Sequence, residues 1–307
     1  MSELGKKVRT SIERIRTFSP KDGEGYYLAF SGGKDSVVCK ALMDLAGVKY
    51  DSVYRVTSVD PPELVQFIKD KYPDVIREIP HDRSGKPITM WSLIEQKLMP
   101  PTRLVRYCCE KLKEGGGDGR MTVTGVRWAE SASRNESQGI VTFPKGAVQV
   151  IVDNPDFRQT SKGGTILVND NEDSRKMVEQ CYKRRKTLVN PIIDWEDSDV
   201  WHFIHSENIA FCGLYREGFL RLGCIGCPMA GTREREREFY RWPKYKAAYL
   251  LAFQKMLNRR LERHISDPRF PVWKQNGVDV IDATPLDVFR WWMEYDVLPG
   301  QIDLFED

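Results

Sequence analysis

The sequence predicts an α/β fold: a mostly parallel sheet with flanking helices. Two observations carry this. Short apolar runs that end at glycines alternate with stretches of helical periodicity, and the composition can bury a sizeable core. The chain has 307 residues, of which 41% are hydrophobic, 11% aromatic and 30% charged. That is an ordinary globular balance, far from a disordered one. Lys+Arg number 47 against Asp+Glu 44, a net charge of +3, so composition does not demand a nucleic acid partner. No apolar run approaches the roughly 20 residues needed to cross a bilayer. The N-terminal stretch MSELGKKVRTSIERIRTF has no hydrophobic signal core. The expectation is a cytoplasmic protein without membrane partners.

The elements follow in order. Val8, Ile12, Ile15 and Phe18 form an apolar stripe at helical spacing. Gly23 and Gly25 end it, and Tyr26 to Phe30 reads as a buried strand. The glycine turn Ser31-Gly-Gly-Lys-Asp-Ser36 comes next, and helical patterning resumes over Val37 to Leu45. A second strand is predicted over Ser52 to Val56 and a helix over Pro62 to Lys71, started by a proline pair. A third strand over Val75 to Ile79, a helix over Thr89 to Lys97 and a strand over Met121 to Gly125 complete the alternation. In such sheets ligands bind beyond the carboxyl ends of the strands, where the Ser31–Ser36 and Gly125 turns lie.

Between residues 138 and 169 the texture changes. Val148 to Val152 and Thr165 to Val168 are β-like pieces among Pro, Gly and Asn, which predicts an inserted β flap. Asp170 to Arg185 and Asp197 to Ser206 read as helices, and Thr232 to Arg263 as a long charged helical region broken near Pro243. The expected organisation is a core over 1–230, with the flap at 138–169, and a helical C-terminal region over 231–307.

Two features call for chemistry. In the glycine turn, Gly32 and Gly33 allow close backbone approach to an anion, and the following helix offers free N–H groups. Ser31 and Ser36 add hydroxyls and Lys34 a cation. The spacing is not that of the usual mononucleotide P-loop. The second feature is the cysteines, seven in number. Cys108 and Cys109 are adjacent and Cys224 and Cys227 form a C-x-x-C, while Cys39, Cys181 and Cys212 stand alone. Adjacent cysteines are awkward as a disulfide, but each can offer a thiolate to a shared inorganic centre.

The turn Ser31-Gly-Gly-Lys-Asp-Ser36 resembles the pyrophosphate-binding loop of the adenine nucleotide α-hydrolase (PP-loop) superfamily. Within it, four later segments resemble the phosphoadenosine phosphosulfate (PAPS) reductase family. They are Arg106-Tyr-Cys-Cys-Glu-Lys-Leu-Lys113, Gly125-Val-Arg-Trp-Ala-Glu-Ser-Ala-Ser-Arg134, Asn190-Pro-Ile-Ile-Asp-Trp195 and the stretch from Leu214-Tyr215 to Cys227-Pro228. The resemblance implies a PP-loop fold with Ser31, Gly32, Gly33, Asp35, Ser36 and Gly125 around the nucleotide phosphates. It places Thr57 and Asp60 near the ribose or adenine. Lys34, Asp35, Arg127 and Arg134 become the catalytic candidates, the arginines gripping a phosphate or sulfate. Cys108, Cys109, Cys224 and Cys227 match the ligands of a 4Fe–4S cluster, with Lys113 facing it; a four-cysteine zinc site is the alternative.

The chain departs from the reductase pattern in carrying no cysteine after Cys227. The reductases use a late catalytic cysteine. The nucleotide turn, arginine motif and cysteines without that cysteine resemble the family's non-reductase members, the ATP pyrophosphatases among them, and this resemblance implies cleavage of ATP between its α and β phosphates, with Mg²⁺, which would activate an acceptor for sulfur transfer. The alternatives are PAPS reduction with another nucleophile, Cys212 being the candidate, and a nucleotide-dependent nucleic-acid adaptor without turnover. Lys183-Arg-Arg-Lys186, the Arg233-Glu-Arg-Glu-Arg-Glu238 run and the aromatics Trp242, Tyr245 and Trp273 are the features behind the adaptor reading, although an alternating-sign run usually marks a solvated helix face. Nucleic acid or a sulfur-donor protein are the candidate macromolecular partners, and a homodimer the candidate assembly.

Overall fold

Tyr26-Tyr-Leu-Ala29 is apolar on both faces, and it forms the strand β1 that runs through the centre of a sheet, with Tyr26 and Leu28 wholly buried. The structure is a computed structural model. It describes every residue except 1, 22, 144–153, 162, 170, 172–173, 175–186, 268, 276–277 and 296–307. The remaining strands are β2 Tyr50–Arg55, β3 Ile76–Glu78, β4 Thr122–Val123, β5 Val141–Phe143, β6 Phe157–Gln159, β7 Thr165–Leu167, β8 Leu188–Val189, β9 Val272–Gln275 and β10 Val278–Ile281. The helices are α1 Glu3–Thr17, α2 Lys34–Ala46, α3 Pro62–Lys71, α4 Met90–Lys97, α5 Ala132–Ser137, α6 Asp197–Ser206, α7 Thr232–Arg241, α8 Pro243–Glu262 and α9 Pro285–Trp292.

The chain forms two units. The first comprises Met1–Arg55, Pro62–Glu78 and Gly116–Leu222. Its sheet has the order β3-β2-β1-β4-β8-β5-β7-β6. The run from β3 to β8 is parallel, as the alternation of strands and helices predicts. β5, β6 and β7 pair antiparallel. The segment expected to be an inserted flap is thus a continuation of the main sheet: β5 is hydrogen-bonded directly to β8. The strand expected over Val148 to Val152 and the helix expected over Asp170 to Arg185 lie outside the described residues.

The Asn190–Trp195 segment ties this unit together. Asn190 donates to the Gly139 carbonyl at 2.6 Å. Arg14 of α1 forks onto Asp194 at 2.9 and 3.0 Å and donates to the Pro191 carbonyl. Trp195 is fully buried, packs edge-on against Phe203 of α6 and donates its indole N–H to Ser11 at 3.1 Å. An indole is tolerated so deep because its one polar atom is partnered.

The second unit comprises Val56–Pro61, Ile79–Gly115 and Gly223–Asp307. α8 packs on α4 and α9. Pro243 opens α8 at its first turn, where a missing N–H does no harm. Between α8 and α9 stands the antiparallel pair β9–β10, which the sequence reading did not predict. An aromatic cluster fills the interior: Trp292 of α9 lies 4.6 Å from Tyr249 and 5.6 Å from Phe253, centroid to centroid, and touches Phe239 and Phe289. The division differs from the single boundary near residue 230 expected from the sequence. The helices α7 to α9 form their interior with Val56–Pro61 and Ile79–Gly115, so the last part of the expected core counts with the C-terminal helices.

Trp195→Ala is expected to lower the unfolding free energy by about 3–5 kcal/mol, because it empties a large buried site and leaves Ser11 without its donor. Chemical denaturation measures this; a change under about 1 kcal/mol would contradict the role of this segment.

Candidate functional site

The glycine turn sits where β1 meets α2. Gly33 is the N-cap of α2 and accepts from the backbone N–H groups of Ser36 and Val37 at 3.0 and 3.1 Å. Ser36 Oγ also donates to the Gly33 carbonyl at 2.9 Å and lies 3.3 Å from Ser31 Oγ. Gly32 has φ +74°, and a Cβ there would stand 2.8 Å from Ile68. Glycine is required on both counts. The result is a tight turn feeding a helix: the Ser36 N–H folds back onto Gly33 and the Lys34 N–H meets Tyr215, and the positive end of the helix faces the turn, an arrangement suited to an anion.

A charged network stands on this turn. Arg127, only 2% exposed at its side chain, donates from Nε to Asp35 at 2.7 Å, from Nη1 to the Trp195 carbonyl at 3.2 Å and from Nη2 to Asp197. Lys34 Nζ lies 3.4 Å from both Asp35 and Asp197. Burial opposes the charge on Arg127, but Asp35 and Asp197 outweigh it and hold its pKa above the usual arginine value. Burial likewise opposes the Asp197 carboxylate, and Lys34 and Arg127 outweigh it, so its pKa falls below the usual range. Arg127 was expected to hold a phosphate; the structure has all three of its nitrogens engaged within the protein, where it orients Asp35 and Asp197.

The turn also recruits residues the sequence reading did not assign. Tyr215 accepts the Lys34 N–H through its hydroxyl at 2.8 Å, and Asp197 joins Lys34 to Arg127. Tyr215 belongs to the Leu214-Tyr215 segment that carries the family resemblance, and that was the signal available. Its ring also lines a cavity of about 480 Å³ with Trp201, His205, Phe211 and Arg216. Gly125 stands against Asp35: a Cβ there would be 2.9 Å from the Asp35 Cβ and 3.0 Å from its carbonyl carbon. Arg134 is apart from the network, its side chain 37% exposed and paired with Glu130. Cys39 is buried on α2, and burial pushes its thiol well up.

The cysteine pairs, with Thr57, Asp60 and Lys113, all belong to the second unit. Cys108 leads into a π-helical turn over Cys109–Lys113, closed by the bond from Glu114 N–H to the Cys109 carbonyl at 2.8 Å. Such wide turns recur at functional sites. The two adjacent thiols act on one another: the neighbouring sulfur and burial hold Cys108 up, while Cys108 brings Cys109 down to about 6 against the effect of burial. The C-x-x-C forms its own turn, with Cys227 N–H on the Cys224 carbonyl and Gly226 at φ +72°. Cys224 Sγ lies 3.6 Å from Thr57 Oγ1 and 3.9 Å from Asp60. Burial pushes the Cys224 thiol up, to about 11, against the pull of Lys113. Lys113 is raised in turn, first by Cys224. Thr57 and Asp60, expected at the ribose or adenine, are thus seen on Cys224.

Among the described residues, no three His, Cys, Asp or Glu side chains gather tightly enough to hold a single metal ion. The donor set nonetheless suits a sulfur-rich centre. Cys108, Cys109, Cys224 and Cys227 are free thiols of one unit, the four-thiolate donor set that an iron–sulfur cubane or zinc takes.

The features behind the adaptor expectation fare differently. Trp242 is buried rather than exposed, and Tyr245 donates to the Asp60 carbonyl at 2.9 Å. Lys183 to Lys186 and Cys181 lie outside the described residues, as does the side chain of Trp273. No helix among the described residues is long and apolar enough to cross a membrane.

Gly125→Ala is expected to push Asp35 off Arg127, lowering stability and weakening adenine nucleotide binding of the folded variant by about tenfold or more. Titration of the variant with nucleotide checks this, and unchanged affinity would contradict the packing argument.

Comparison with known proteins bears on this geometry. The sequence model of the phosphoadenosine phosphosulfate reductase domain matches residues 25–230. An uncharacterized protein of Methanocaldococcus jannaschii is 25% identical over 252 residues, 78% of this chain and 51% of that protein. The chain thus spans about half the length of the curated relative it matches there. An adenosine 5'-phosphosulfate reductase of Neisseria meningitidis is 47% identical over 38 residues, 12% of this chain and 16% of that one. Among solved structures, the phosphoadenylyl-sulfate reductase of Candida auris aligns with a TM-score of 0.38 at 12% identity, covering 73% of this chain and 96% of that one. The FMN adenylyltransferase of Candida glabrata also gives a TM-score of 0.38, at 17% identity over 73% of this chain and 62% of that one. With two thirds of its length matched by the family's sequence model, the chain belongs to the phosphoadenosine phosphosulfate reductase domain family, a family of nucleotide-binding domains.

Proposed function

We propose that the chain is an enzyme that binds ATP at the Ser31–Ser36 turn and cleaves it between the α and β phosphates. The observation that carries this reading is the anion-binding helix start with Lys34, Asp35, Arg127 and Asp197 assembled on it. In the reaction an acceptor oxygen attacks the α-phosphorus, the bond to the bridging oxygen breaks, and pyrophosphate leaves with the electron pair. With water as acceptor the products are AMP and pyrophosphate. The backbone N–H groups of the turn and Lys34 stabilise the charge on the phosphates. Arg127 positions Asp35 and Asp197, and Arg134 reaches the nucleotide by exchanging its Glu130 partner.

The carboxylates of Asp35 and Asp197, 24% and 64% exposed, are the oxygen donors beside the turn and would hold Mg²⁺ with the phosphates. Mg²⁺ would neutralise phosphate charge. Cys108, Cys109, Cys224 and Cys227 would hold a 4Fe–4S cluster, or zinc in the alternative, which would serve as a structural tie or as a relay for sulfur. Support for ATP over PAPS reduction comes from Cys212. It is 1% exposed and burial raises its thiol pKa, the opposite of an activated nucleophile.

The test is anaerobic incubation with α-labelled ATP, and in parallel with PAPS and a thiol reductant. Labelled AMP from ATP is expected, lowered at least about a hundredfold in Asp35→Ala under conditions where circular dichroism shows the variant folded. Sulfite from PAPS without AMP from ATP would replace this reading by reduction, and full turnover in Asp35→Ala would remove the assigned site.

A further inference from the structure

In the second unit, one cation is buried beyond anything its protein partners explain. Arg235 of α7 is 0% exposed. Its Nη2 donates to the Trp292 carbonyl at 2.8 Å and its guanidinium lies 4.4 Å over the Trp292 ring. Nε and Nη1 are buried and have no hydrogen-bond partner among the described residues. A buried guanidinium with two N–H-bearing nitrogens unmet is expensive, and folded proteins rarely leave it so.

The surroundings indicate what the unmet groups serve. Trp292, on which Arg235 lies, packs against the C-x-x-C turn: a Cβ on Gly226 would stand 2.9 Å from the tip of its ring. Tyr249, stacked near Trp292, donates to the Ile225 carbonyl of the same turn at 3.0 Å. Two carboxylates are near, and both have other work. Glu238 accepts the Gly226 N–H at 2.7 Å, and Glu294 pairs with Arg103 at 3.3 Å.

We propose that Arg235 is the buried counter-charge of the cysteine centre, reached through Trp292, the ring that carries its guanidinium and packs on the C-x-x-C turn, with two of its nitrogens left unpartnered in the unloaded protein. Four thiolates on one Zn²⁺, or on an oxidised 4Fe–4S core, leave about two negative charges in excess, and a desolvated anion of that kind requires cations and N–H donors around it. Arg235 supplies the charge from a helix that contributes no cysteine. The inference rests on the proposed cysteine centre and holds for either metal. It also assigns Arg235 a positioning role, distinct from contact with nucleotide.

The test compares wild type with Arg235→Met, each stripped of metal and each loaded anaerobically with Fe²⁺ and sulfide or with Zn²⁺. In the loaded protein the variant is expected to release metal to a chelator about ten- to a hundredfold faster and to melt lower. In the stripped protein it is expected to melt no lower than wild type, because an uncompensated buried cation has been removed. Arg235→Gln should show the same contrast and decides the question if the methionine variant does not fold. Equal destabilisation with and without metal, or an unchanged release rate, would overturn the inference alone. A wild-type chain that takes up neither metal would overturn the inference together with the cysteine centre.

Discussion

The first unit depends on one buried guanidinium. Arg127 joins the residues after β4 to the start of α2, to α6 and to the Trp195 carbonyl. Each of these is held elsewhere: Trp195 by Ser11, Asp197 by the first turn of α6, Asp35 by the helix that follows the glycine turn. Arg127 is the desolvated member of this set and loses most when a partner is removed, whereas the Asp35 and Asp197 carboxylates are partly open to solvent. The same constraint arranges two carboxylates and a lysine around the start of α2, where the proposed nucleotide site lies.

The second unit has its own organising element, the Trp292 ring. Its edge occupies the space that Gly226 leaves by lacking a side chain, its indole donates to the Pro101 carbonyl at 2.7 Å, and its face carries Arg235. The C-x-x-C turn is therefore shaped from behind by aromatic packing. That turn, the π-helical turn after Cys108, and the Thr57–Asp60 segment are brought together from three distant parts of the chain.

Much of this was legible in the sequence, for identifiable reasons. The strand-glycine-helix pattern at residues 26–45 is local, and so is the capping logic of Pro62 and Pro243; such features survive tertiary context. Ser31 to Ser36 form the turn between β1 and α2, and Gly125 lies against Asp35. The roles of charged residues were harder to read, because partners cannot be seen in one dimension. Arg127 and Arg134 look alike in the motif, yet one is buried in a three-way fork and the other sits on a half-exposed pair. Tyr215 and Arg235 owe their interest to what they touch or fail to touch. The antiparallel continuation of the sheet was read as a flap because its strands are only three residues long. The β9–β10 pair was missed although Asn276-Gly277, a strong hairpin signal, separates its strands.

The central claim is that the Ser31–Ser36 turn, with Asp35 held by Arg127, is an adenine nucleotide site selective for a triphosphate. Calorimetric titration of the full chain with ATP, AMP and PAPS in the presence of Mg²⁺ tests it most directly. The account predicts saturable ATP binding of one nucleotide per chain, tighter than AMP and lost in Asp35→Ala. Binding of PAPS in preference to ATP, or ATP binding that persists undiminished in Asp35→Ala, would contradict it.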